Sequence, residues 1–75
     1  MFWVNVDEPD NRKCTIHREE CRYVLRSETP YKGIGRLKRD GGWFPFPSLE
    51  EAENHCKREW ETKGFIVRRC GRCFT

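Results

Sequence analysis

Residues 65–75 read FIVRRCGRCFT, and the purpose of the pair Cys70 and Cys73 decides how so short a chain can hold a fold. With 75 residues the chain forms one domain, and a core of that size is marginal unless disulfides, a metal or a partner subunit reinforces it. A Cys-x-x-Cys pair among arginines is open to four readings: half of a metal site, a redox dithiol, a disulfide anchor, or part of a basic surface that meets phosphate. The redox reading needs the start of a helix, whose dipole lowers the thiolate pKa. Here the pair follows FIVRR, a short strand, so that reading is weak.

The compartment bears on the disulfide reading. No stretch approaches the run of about 20 apolar residues that a membrane span needs, and MFWVNVDEPD has neither the basic flank nor the apolar core of a signal peptide. An intracellular, cytoplasmic setting is expected, with no membrane contact. Thiols stay reduced there, so five cysteines, an odd count, read as metal-binding or catalytic before they read as a disulfide framework. Charged and hydrophobic residues each make up 36% of the chain, but three Trp, five Phe and two Tyr are anchors that a disordered sequence would lack.

Working outward from the pair, GGWFPFPSLEEAENHCKREWETKG (residues 41–64) carries a helix signature. Ser48 caps, Glu51 stands three residues later as its capping-box partner, and Gly64 closes the other end. Pro45 and Pro47 keep the approach extended. Leu49, Ala52, Cys56 and Trp60 recur at helical spacing and form the buried stripe. His55 falls on the flank, where a lone exposed histidine is expected.

Before this helix, YKGIGRLKRDGG (residues 31–42) has little periodicity and reads as an exposed loop. Its glycines lack the strand and helix that a phosphate loop requires. At the start, FWVNV alternates Phe2, Val4 and Val6 against Trp3 and Asn5. RKCTIH alternates Cys14 and Ile16 against Lys13, Thr15 and His17, and the cluster from Glu8 to Asn11 joins the two as a hairpin turn. The expected class is α+β: a small zinc-stabilised domain with an N-terminal β-hairpin, one amphipathic helix over about residues 49–63, and a final short strand entering the Cys-x-x-Cys knuckle. Trp3, Trp43, Phe44 and Trp60 are expected in its core.

A structural zinc site takes four soft or borderline ligands in a tetrahedron, and small domains build one from local pairs in distant segments. Cys70 and Cys73 supply one pair. The early segment offers Cys14, His17 and Cys21 for the two remaining places. His17 and Cys21 are preferred, because the His-x-x-x-Cys spacing leaves a strand end and enters a turn that can aim both side chains at one point. Cys14 shares a face with Ile16 and Cys56 lies on the helix stripe, so both are read as packing.

The pattern IHREECRYV, WFPFPSLEEAENH and GFIVRRCGRC resembles the small metal-binding domains of the Ada type, known from a bacterial DNA alkylation-repair protein and from short modules beside nucleases. The likeness spans about residues 13–74. It implies that His17, Cys21, Cys70 and Cys73 are the four metal ligands. In the repair protein all four are cysteines, one of which accepts a methyl group, whereas His17 here replaces a thiolate. The likeness therefore implies a structural zinc centre rather than methyl transfer.

The net charge of +3 is unevenly spread. Residues 11–39 and the segment from Thr62 onward are strongly basic, while residues 1–10 and 40–61 are acidic. Closing four ligands on one ion would gather Arg22, Arg68, Arg69 and Arg72 into a positive patch suited to the phosphates of DNA or RNA. The helix, with Glu50, Glu51, Glu53, Glu59 and Glu61, is unsuited to a nucleic-acid groove. The alternative is that Arg68 and Arg69 face those glutamates, which would make the protein a structural or protein-interaction zinc module. An enzyme is not expected, because four ready ligands leave a zinc ion no open position. A monomer is expected.

Overall fold

The computed structural model describes residues 1–7, 12–24 and 28–74. The strands are β1 (Phe2–Asp7), β2 (Lys13–Arg18), β3 (Gly33–Ile34), β4 (Gly41–Phe46) and β5 (Ile66–Arg69), with helix α1 (Leu49–His55) between the last two. They form one sheet in the order β3-β4-β1-β2-β5. β1 pairs antiparallel with both β2 and β4, while β5 runs parallel to β2 and β3 parallel to β4. The expected α+β class, with its hairpin, helix and closing strand, is what the chain adopts. The turn assigned to Glu8–Asn11 lies outside the described residues.

Strand alternation gives the sheet two different faces. Val4 and Val6 of β1 and Cys14 and Ile16 of β2 point to one side and are all but completely buried. They pack against Ala52, Cys56, Trp60 and Phe65. Trp3 and His17 belong to the other face, with Trp43, Cys21 and Cys70. One face thus holds the apolar core under the helix, and the other is free to build a site.

The helix begins where its cap lies in the sequence: Ser48 has extended backbone and its Oγ accepts from the Glu51 N–H. Beyond α1 the chain continues through a π-helical turn, Cys56–Trp60, and a final tight turn, Glu61–Lys63. Gly64 ends it at a φ of 89°, in the left-handed region that costs glycine nothing. The Phe65 N–H then donates back to the Trp60 carbonyl. This reversal sends β5 alongside β2.

One expectation is corrected and another made specific. Residues 31–42 are not simply a loop: Gly33 and Ile34 make the edge strand β3, and Gly33, Gly41 and Gly42 are buried. The glycines serve close approach, since a Cβ on Gly33 or Gly42 would collide with the Arg36 carbonyl. The extended approach to the helix is a full strand, β4, directly beside β1. β3 pairs only with Gly42 and Trp43, so Pro45 lies on a stretch of β4 that is a sheet edge, where a missing N–H is tolerated.

Candidate metal centre

His17 is the penultimate residue of β2, on the face opposite Cys14 and Ile16. After Arg18 the chain turns tightly, with the Cys21 N–H donating to the Arg18 carbonyl and the Val24 N–H to the Cys21 carbonyl. Cys21 is thereby folded back beside His17, its Sγ 3.5 Å from the imidazole Nδ1. From the other end of the chain, β5 extends its ladder by one bond, Cys70 N–H to the Ile16 carbonyl at 2.8 Å. That bond sets Cys70 next to His17. A turn closed by Phe74 N–H to the Cys70 carbonyl returns Cys73 to the same point.

The four ligand atoms of His17, Cys21, Cys70 and Cys73 all lie within 4.8 Å of one another. A tetrahedral ion held at roughly 2.3 Å from sulfur and 2.0–2.1 Å from nitrogen sets sulfur pairs about 3.8 Å apart and sulfur–nitrogen pairs about 3.5 Å apart. The Cys21 and Cys70 sulfurs are 4.0 Å apart and the Cys21–His17 pair matches at 3.5 Å. Three thiols and an imidazole suit a soft or borderline transition metal and not the oxygen-seeking calcium or magnesium.

The electrostatics favour the same use. Burial, then the nearby Arg68 charge, lower the His17 pKa, with Asp7 opposing and Lys32 adding to it. The ring is therefore held neutral, as a ligand must be. Burial pushes Cys70 up, but backbone N–H groups of Arg72 and Cys73 and bonds from the Cys73 and Cys21 thiols bring it below its ordinary value. Burial and the neighbouring thiols hold Cys73 at about 11, although the Arg18 N–H donates to its sulfur at 3.2 Å. Thiolates this close repel one another, and a cation between them removes the conflict.

Cys14 and Cys56 stand apart from this cluster. Their sulfurs are 2.8 Å from each other on the helix side of the sheet, both fully buried, as packing residues would be. Their contact, with burial, raises the Cys14 pKa far above the ordinary thiol value. His55 is not the lone exposed histidine expected. Its Nε2 accepts from Trp60 Nε1 at 3.2 Å and its ring lies 4.7 Å from that of Phe46, so it anchors the helix to β4. Trp43 and Trp60 are buried, while Trp3 and Phe44 are only half-buried.

The four arginines divide. Arg68 and Arg72 line one groove of about 700 Å³ together with Asn5, Thr15, Tyr23 and Trp43, and the candidate ligands His17 and Cys70 also line it. Arg22 does not line it; its guanidinium lies 5.6 Å from the ring of Tyr23, which does. Arg69 faces the helix and pairs with Glu53 at 2.9 Å. Adjacent strand residues point to opposite faces, which is why Arg68 and Arg69 cannot share a patch.

The groove residues that sequence reasoning missed are Trp43, Asn5 and Thr15, which stand in register with the expected Arg68 across β4, β1, β2 and β5. The Trp43 Nε1, Asn5 Oδ1 and His17 Nε2 atoms are buried and have no hydrogen-bond partner among the described residues, a cost of roughly 1–3 kcal/mol each. Alternation along β1 and β2 put Asn5, Thr15 and His17 on one face of their strands, but β4 and the pairing of the closing strand with β2 could not be read. Comparison of the chain with protein-family models, curated proteins and solved structures found no match. Among the described residues, no helix is long and apolar enough to cross a membrane.

Proposed function

We propose that the protein is a zinc-binding module in which the ion ties the β2 end to the Cys70–Cys73 knuckle and holds a basic surface ready for nucleic acid. The observation that carries the metal reading is the convergence of four ligand atoms from both ends of the chain within 4.8 Å. Zinc is the ion of choice because it prefers tetrahedral sulfur and nitrogen sites and undergoes no redox change. Four protein ligands fill the tetrahedron, so the role assigned to the ion is structural and the protein is read as a binding module, not an enzyme. The resemblance to Ada-type domains belongs to this proposal and implies the same four ligands.

The nucleic-acid part rests on Arg68 and Arg72, which line one groove and have no acidic partner among the described residues. Arg22 adds a third charge nearby. Mobility shifts with DNA and with RNA at low and moderate salt test it: phosphate contacts make affinity fall steeply with salt. Arg68→Ala and Arg72→Ala should each weaken binding and lower the salt slope by about one. Arg69→Ala should leave both unchanged. No binding to either nucleic acid at low salt would overturn this part of the proposal.

A second reading, a structural or protein-interaction zinc module, is favoured by the Arg69–Glu53 pair, which takes one candidate arginine out of the patch. A chain that holds its metal but binds neither DNA nor RNA at low salt would point to this alternative.

A further inference from the structure

The groove beside the metal centre is built for more than a backbone contact. Its volume of about 700 Å³ falls in the range of small-molecule and cofactor sites, about 300–1,000 Å³, and far exceeds what one phosphate fills. Its floor is the in-register row Trp43, Asn5, Thr15 and Arg68 on the sheet face that the helix leaves open. Its wall is Tyr23, an aromatic side chain 45% exposed.

Polarity adds a second, independent observation. Trp43 and His17 are only 3% and 5% exposed, and each has a buried ring nitrogen without a hydrogen-bond partner among the described residues. If Nδ1 of His17 faces the metal, as its 3.5 Å approach to Cys21 Sγ indicates, its Nε2 carries the proton and is a donor. Trp43 Nε1 is a second donor, and the Asn5 amide offers an acceptor and a donor. Arg68 and Arg72 supply positive charge. Hydrogen-bonding groups set against aromatic surface, with charge at the margin, match a planar heterocycle joined to a phosphate.

We propose that this groove takes one nucleotide of an unpaired strand, its base lying on the floor against Tyr23 and its phosphate held by Arg68 and Arg72. The proposal rests on the nucleic-acid reading above and adds a preference for single strands. A base in a duplex is stacked and paired on the edges that the groove would contact, whereas sheet faces carrying aromatic and basic side chains accept splayed bases.

The test uses zinc-loaded full chain and fluorescence anisotropy with two probes. One is an oligothymidylate of about ten nucleotides, a length within the usual site sizes of single-strand-binding folds, and the other a hairpin-closed duplex of about ten base pairs, with affinities compared per phosphate. The single strand should bind about tenfold tighter, the scale of one stacked base. Tyr23→Ala and Asn5→Ala should each remove that preference, while Arg68→Ala weakens both probes. Tyr23 is exposed enough that its replacement leaves the fold intact, and retained zinc content checks this for Asn5→Ala. Equal affinity for both probes, or a single-strand preference that survives Tyr23→Ala and Asn5→Ala, would overturn the groove assignment and leave the surface reading standing. Failure of both probes to bind at low salt would overturn the two together.

Discussion

Replacing Cys14 with alanine separates a core cysteine from a ligand. Cys14 is fully buried, its sulfur touches only the helix side of the sheet, and Cys56 lies 2.8 Å away. The substitution deletes one sulfur, comparable to one or two methylenes, and leaves a cavity walled by Val6, Ile16 and Cys56. Losing a buried group of that size costs about 1–2 kcal/mol, between the costs of Ile→Val and Leu→Ala changes. For a chain this short, whose total stability is on the order of 4–11 kcal/mol, the melting temperature should fall by about 4–16 °C. Thermal unfolding followed by circular dichroism, with metal measured on the same sample, is the assay. The metal-to-protein ratio should stay at the wild-type value. Loss of metal together with the fall in melting temperature would show that Cys14 takes a place in the site and would refute the separation of the two sheet faces.

Two further outcomes follow from the packing of residues 28–42. Gly42→Ala drives a Cβ into the Arg36 carbonyl, a backbone collision that should cost at least the roughly 1–3 kcal/mol of overpacking; denaturant unfolding with an unchanged midpoint would contradict the buried β3–β4 contact. Glu28 accepts from Arg36 at 2.8 and 2.7 Å, from the Ile34 N–H and, by ion pair, from Lys38, and the Arg36 bonds foremost bring its pKa down from 4.5 to about 2. A depressed carboxylate stabilises the fold above its ordinary pKa, and that contribution is lost as pH falls from 4.5 toward 2. The stability gap between wild type and Glu28→Gln should therefore shrink in that window, and a gap independent of pH would contradict the assigned contacts.

Much of the site was legible because it depends on local rules. Alternation in RKCTIH put Cys14 and Ile16 on one face and His17 on the other, and the same rule applied to GFIVRRC would have separated Arg68 from Arg69. The helix stood out through Ser48 and Gly64, which cap its two ends as their residue types allow, while Glu51 contributes its backbone N–H to the Ser48 cap. β4 was obscured because Gly41, Gly42 and Pro45 are poor strand formers, and its extended form comes from pairing with β1 rather than from propensity. The groove could not be seen at all. Trp43, Asn5, Thr15 and Arg68 become neighbours only through the order β4-β1-β2-β5, which depends on a parallel return of β5 that no short motif encodes.

The central claim is that His17, Cys21, Cys70 and Cys73 close on a single ion. Its most direct measurement is the metal content and the cobalt-substituted absorption spectrum of the full chain, taken for wild type beside His17→Ala. One ion per chain is expected, with the intense visible bands of a tetrahedral cobalt–thiolate site. Those bands should shift or vanish in His17→Ala, with weakened metal retention. A chain that binds no metal, or one whose metal content and spectrum are untouched by the loss of His17, would contradict it.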